Sequence, residues 1–119
     1  MEAKHSLAKS FFFALNGLKT AAVKGRNFRI QIILGAIAIL LAVIFQISVF
    51  EWLVLTLIIA CVLILELINT AIEEIVNMVS PEIQERARIA KDVSAAAVLV
   101  AAIASVFIGI FLFLPKFLG

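Results

Sequence analysis

A chain of 119 residues that is 65% hydrophobic and only 15% charged, with a mean hydropathy of +1.22, has too few polar side chains to cover a soluble domain. This composition points to one integral-membrane domain. The formal net charge of +2 is small, yet the basic residues are unevenly placed, and that placement sets the expected topology.

The first segment, "SLAKSFFFALNGLKTAAVKG", places Leu7, Phe11, Ala14, Leu15 and Leu18 near one helical face and Lys9, Asn16 and Lys19 largely elsewhere. Residues 1–27 therefore read as an amphipathic helix lying in the membrane interface. A strut packed on the bundle from the aqueous side is the alternative. Three apolar stretches follow, each long enough for a bilayer core that takes about 20 helical residues. They are 30–49, 52–79 and 86–114, the last free of charge from Val93 to Leu114. A soluble three-helix bundle would need a polar face on every helix, and none of these has one. The expectation is an all-α protein with three transmembrane helices and one surface helix.

Lys4, Lys9, Lys19, Lys24, Arg26 and Arg29 precede the first span, and Arg86, Arg88 and Lys91 lie between the second and third. The loop around Glu51 has no Lys or Arg, and Lys116 is the one basic residue of the tail. The positive-inside rule then puts the N-terminus and the second loop in the cytoplasm. The N-terminus is polar and shows no cleavable signal pattern. Cys61 falls mid-span as a small hydrophobe, and no disulfide or metal spacing exists. Nucleic-acid binding finds no support beyond basic residues that topology already explains.

The second span carries the chemistry. "ELINTAIEE", 66–74, follows an uncharged run from Trp52 to Leu65. At about 100° per residue, Glu66, Asn69, Glu73 and Asn77 share one face, Thr70 flanks it and Glu74 points away. A carboxylate facing lipid is costly, so this face must turn toward protein, water or an ion. Ser80 and Pro81 suit the cap and first turn of the next helix. A tight turn there returns Lys91 and Asp92 to a comparable depth. A cation, carboxylates able to hold Mg²⁺ and a buried carboxylate base are the parts phosphoryl transfer needs. Hydrogen-bonded helix packing by Glu66 and Asn69, and a neutralising Lys91–Asp92 pair, are the plainer readings. No soluble-type phosphate loop is present.

The set "ELINTAIE" followed by "AKDVSAAAV" resembles the prokaryotic diacylglycerol kinase family of small membrane lipid kinases, from about Phe11 to the "FLPK" ending at Lys116. The resemblance implies a homotrimer that uses Mg-ATP to phosphorylate a lipid hydroxyl at the cytoplasmic face of the cell membrane. It implies Glu66 as catalytic base, Asn69 as a hydrogen-bonding neighbour, and Glu73 as a metal ligand at the nucleotide. It also implies nucleotide contacts from Phe13, Glu82, Lys91 and Asp92. Phe28 and Arg29, in "GRNFRIQ", are carried over as active-site support. Gly25 departs from the family, standing where a second metal-binding Glu is usual, and Asn77 stands where Asp is common. "SVFEWLVL" and "FLPK" resemble the Gram-positive branch, in which undecaprenol is often the acceptor. Diacylglycerol is the first expectation for the acceptor, undecaprenol the second. A proton-coupled transport protein using Glu66, or a noncatalytic homologue that has lost a metal ligand at Gly25, are the competing classes. A Glu at position 25 is expected to be tolerated, because that position lies in the hydrated entry to the first span.

Overall fold

The computed structural model describes residues 6–79 and 84–119. These form four helices: α1, Leu7–Lys24; α2, Arg26–Ile44; α3, Val49–Val79; and α4, Glu85–Leu118. Among the described residues all regular structure is helical. The helices α2, α3 and α4 are each long and apolar enough to cross a bilayer, which makes this a multi-pass membrane protein. At 1.5 Å per residue, α3 and α4 run about 46 and 51 Å. A hydrocarbon core is about 30 Å thick, so both extend well into the headgroup region or beyond.

Local chemistry sets the helix ends. Ser6 caps α1 by accepting from Lys9 N–H. The break between α1 and α2 is the single residue Gly25, whose N–H donates to the Ala21 carbonyl at 2.8 Å. A Cβ at Gly25 would lie 2.9 Å from that carbonyl oxygen and 3.4 Å from Phe28 Cβ. The expected tolerance for Glu at this position is therefore overturned. Hydration of the charge is not the issue; the backbone passes too close for any side chain without movement. Arg29 Nη1 then clamps the end of α1, donating to the carbonyls of Ala22 and Val23 at 2.7 and 3.0 Å.

The first membrane helix runs from Arg26 to Ile44 rather than over 30–49. The apolar run continues past the helix because the turn that ends it returns Ile47 to the core. Gln46 adopts φ 52°, its N–H donates to Val43 O, and Ile47 N–H reaches back to Ala42 O. That is a Schellman end with Gln in the left-handed position, and Ile47 and Ala42 both belong to the core. One residue on, Ser48 and Glu51 exchange hydrogen bonds, Glu51 N–H to Ser48 Oγ and Ser48 N–H to Glu51 Oε1. This reciprocal box starts α3 at Val49. The second oxygen of Glu51 accepts from Lys116 Nζ at 2.6 Å, and the ammonium also donates to the Leu112 carbonyl. Phe45 stacks edge-on against Phe117 with ring centroids 4.9 Å apart. The "SVFE" and "FLPK" stretches thus fasten the end of the bundle remote from the acidic face. The last helix continues to Leu118, past the boundary expected at Leu114. Pro115 lies inside the helix near its end and has no N–H to give to the carbonyl four residues before it.

The helix α3 is the spine. It packs along α4 most extensively and against α2 less, while α2 and α4 hardly meet each other. The surface of α1 is almost wholly exposed, Ala21 being its buried residue.

Candidate functional site

Most of the polar face of α3 is drawn into the protein. Glu66 is 5% exposed and Asn69 7%. Glu73, two turns beyond Glu66, is half-buried. Counted from Val49, Glu66 lies about 25 Å along α3, close to the far edge of a 30 Å hydrocarbon layer. A hydrocarbon layer starting at Val49 would bring its far headgroups close to Glu66.

Two neighbours hold these groups. Gln31 of α2 donates through Nε2 to Glu66 Oε1 at 3.3 Å. Ser94 of α4, itself buried, donates its hydroxyl to Asn69 Oδ1 at 2.6 Å. With Oδ1 engaged, the Asn69 amide nitrogen is the group left to donate, and Glu66 is its neighbour. Thr70 turns its hydroxyl back onto the Glu66 carbonyl at 3.0 Å, so it contributes a wall rather than a donor.

Two cavities meet at this pair. The first, of about 360 Å³, is polar and lies between the α1–α2 junction and α3. Its walls include Lys24, Asn27, Glu66, Asn69, Glu73 and Glu74. Lys24 bridges its mouth, its ammonium 3.0 Å from Glu74 Oε1. The second, of about 350 Å³, is mainly apolar and lies between α2 and α4, with Ile30, Leu34, Val98 and Leu99 among its walls. Asn27, Glu66 and Asn69 line both. A buried carboxylate is thus shared by a chamber suited to phosphate or metal and a slot suited to hydrocarbon.

The other residues expected at the site fall as follows. Phe13 is exposed on α1, its ring 6.2 Å from that of Phe12. Phe28 is buried at the α1–α2 break, and Arg29 is committed to the α1 carbonyls; both shape the chamber from outside its walls. Lys91 is half-buried and Asp92 exposed, one turn before Ser94. Asp92 pairs with Arg88 at 2.8 Å, Arg88 also pairs with Glu85, and neither Lys91 nor Asp92 lines the polar chamber. Asn77 is exposed beyond it. Glu82 lies outside the described residues. Sequence periodicity turned Glu74 away from the site, yet it borders the same chamber through its pair with Lys24. Gln31, Ser94, Asn27 and Lys24 were missed. Gln31 had a visible signal, a polar residue in a span one side of which must meet Glu66.

Three membrane-length helices bury a carboxylate between a polar and a mainly apolar cavity, an arrangement that fits a small integral-membrane enzyme. The profile of prokaryotic diacylglycerol kinases matches residues 12–113. Over 108 residues the chain is 36% identical to an undecaprenol kinase of Bacillus subtilis, covering 91% of this chain and 88% of that protein. It is 42% identical over 115 residues to a diacylglycerol kinase of Synechocystis sp., covering 96% of this chain and 66% of the other. A diacylglycerol kinase of Helicobacter pylori is 35% identical over 94 residues, 79% of this chain and 73% of that one. The chain belongs to the prokaryotic diacylglycerol kinase family and is a membrane lipid kinase.

Proposed function

We propose that this kinase transfers the γ-phosphoryl group of ATP to the hydroxyl of diacylglycerol, giving phosphatidic acid, with Glu66 as general base. The observation that carries this reading is the position of Glu66 in the wall common to the polar and apolar cavities. A lipid alcohol entering from the apolar side brings its hydroxyl to the carboxylate, and a triphosphate in the polar chamber approaches the same point. As the hydroxyl oxygen attacks the γ-phosphorus, Glu66 takes its proton, the phosphoryl group joins the lipid oxygen, and ADP leaves. The Asn69 N–H donors, held outward by Ser94, orient the hydroxyl or a phosphoryl oxygen. The lysine at the chamber mouth, Lys24, supplies positive charge there.

Mg²⁺ is the expected cofactor. Among the described residues no three His, Cys, Asp or Glu side chains form a metal cage. The chamber fits the other common arrangement, in which one or two carboxylates hold the ion together with substrate phosphates and water. Glu73 is the ligand we assign, and Glu74 is the carboxylate nearest to taking the place left by Gly25. When bound, the ion would neutralise phosphate charge. We assign Phe13, Glu82, Lys91 and Asp92 to the nucleotide by family resemblance. Lys91 and Asp92 lie outside the chamber of their own chain, which supports a homotrimer in which they serve a neighbour's site. Exposed Leu7, Phe11, Leu15 and Leu18 support α1 lying in the interface. The distribution of Lys and Arg supports a cytoplasmic N-terminus and an active site on the cytoplasmic side of the cell membrane.

Undecaprenol is the second acceptor to consider, favoured by the Bacillus subtilis relative and its near full-length match. Purified protein in mixed micelles, given radiolabelled ATP and equal mole fractions of the two lipids, separates them. Faster labelling of diacylglycerol supports our reading, and faster labelling of undecaprenol replaces the acceptor while keeping the chemistry.

A further inference from the structure

We propose that the Lys24–Glu74 pair at the mouth of the polar chamber exchanges partners when a metal–nucleotide complex enters. Lys24 leaves Glu74 for a phosphate oxygen, and Glu74 turns to the metal. The inference rests on the proposed use of this chamber for a triphosphate, and adds how the chamber selects the complex over either component alone. The two residues come from different walls. Lys24, in the last turn of α1, holds its ammonium 3.0 Å from Glu74 Oε1 of α3. Both line the chamber together with Glu66, Glu73 and a second cation, Arg26.

The pair is weak enough to exchange. Its side chains are 57% and 54% exposed, and an exposed ion pair changes an equilibrium constant by about fivefold at most. The backbones that carry it are fixed. Arg29 pins the carbonyls of Ala22 and Val23 at the end of α1, and Glu74 lies within α3. Exchange therefore asks only for rotation of two long side chains. Charge decides what can drive it. If Lys24 moved to a metal-free nucleotide, Glu74 would be left unpaired beside phosphate. If Glu74 moved to a metal ion alone, Lys24 would be left beside a second cation. Only the complex offers an anion to one and a cation to the other, so charges are matched after exchange as before it. Gly25 leaves this part to Glu74: it lines the same chamber without a side chain, and a Cβ there would crowd the Ala21 carbonyl.

The test reads binding rather than turnover, on the full chain in detergent micelles. Mn²⁺ stands in for Mg²⁺ and is followed by the paramagnetic resonance signal of the free ion. The non-hydrolysable analogue adenylyl imidodiphosphate, with Mn²⁺ or with chelator, is followed by calorimetry. Lys24→Met should weaken binding of the Mn²⁺–analogue complex about tenfold, the worth of a hydrogen bond to a charged group. The same variant should bind Mn²⁺ alone more tightly, by up to about fivefold, because Glu74 is released. Glu74→Gln should do the reverse, tightening the metal-free analogue and weakening the complex. Arg26→Met removes a cation from the same walls without touching the pair, so its smaller effect on Mn²⁺ measures the general field. In the Glu74→Gln background, Lys24→Met should affect Mn²⁺ no more than Arg26→Met does. Equal effects of Lys24→Met and Arg26→Met on Mn²⁺ in the natural background would overturn the exchange. So would variants that bind all three ligands as wild type does, or that lose affinity for all three along with thermal stability. In those cases a wild type that still binds the complex keeps the nucleotide reading of the chamber. A wild type that does not bind the complex loses that reading and the exchange together.

Discussion

Removing the hydroxyl of Ser94 isolates one link in the site. In Ser94→Ala, Asn69 keeps its place on α3 but loses the 2.6 Å bond to its Oδ1, leaving a 7%-exposed amide with an unanswered acceptor. Interhelical hydrogen bonds of this kind in membranes average about 0.6 kcal/mol and reach about 1.7. Leaving a buried acceptor unsatisfied costs about 1–3 kcal/mol. We expect a loss near 1 kcal/mol, divided between stability and the orientation of the Asn69 N–H donors. If most of it falls on orientation, kcat drops about fivefold while KM for ATP stays unchanged. Ser94→Thr, which keeps the hydroxyl, should restore most of the rate. The assay is lipid phosphorylation in mixed micelles for wild type, Ser94→Ala, Asn69→Ala and the double variant. The double variant should be hardly slower than Asn69→Ala alone, because Ser94 acts through Asn69. Fully multiplicative losses would show that Ser94 has no such role and would refute the assignment.

Three further outcomes are expected. Gly25→Ala should lower thermal stability by about 1–3 kcal/mol, the usual cost of forcing atoms into a packed site. Gly25→Glu should be no more stable, so adding back the missing carboxylate should not yield a sturdier enzyme; a rise in the thermal midpoint of either variant would contradict the close approach to Ala21. Lys116→Met should lower the melting temperature with kcat unchanged, because it breaks the Glu51 pair at the far end of α3; a fall in kcat with normal stability would contradict a purely structural role. Mixing inactive Glu66→Gln and Lys91→Ala chains should recover part of the activity if the two residues meet across protomers, and no recovery despite demonstrated co-assembly would place both in one chain.

The parts of this protein readable from sequence are those governed by local periodicity and solvent preference. The spans follow from hydrophobic length, and the shared face of Glu66, Asn69 and Glu73 follows from 3.6-residue spacing; the buried pair and half-buried Glu73 lie where that spacing puts them. What escaped depends on neighbours distant in the chain. Ser94 sits 25 residues from Asn69 in a helix whose own pattern does not say which residue faces α3. Gln31 was an interruption in an apolar run until α2 was seen to pass Glu66. Glu74 was read from its angle on α3 alone, but a long Lys24 side chain from another helix meets it. Gly25 presented as a missing ligand, and the fold adds a second reason for glycine there: a Cβ would crowd the Ala21 carbonyl unless the backbone shifts. The early end of α2 at Ile44 was hidden because the turn after it carries apolar Phe45 and Ile47 and buries Ile47 in the core, unlike most loops.

The most direct measurement compares wild type with Glu66→Gln for transfer of radiolabelled phosphate from ATP to diacylglycerol in mixed micelles. Gln is nearly isosteric with Glu, and its oxygen can still accept from Gln31, so folding should survive and only the base is lost. A general base contributes about 10²- to 10⁴-fold. We predict turnover at least about 100-fold below wild type in a variant whose melting temperature and assembly are unchanged. Near-normal turnover in that folded variant would contradict the assignment of Glu66 as the base that activates the lipid hydroxyl.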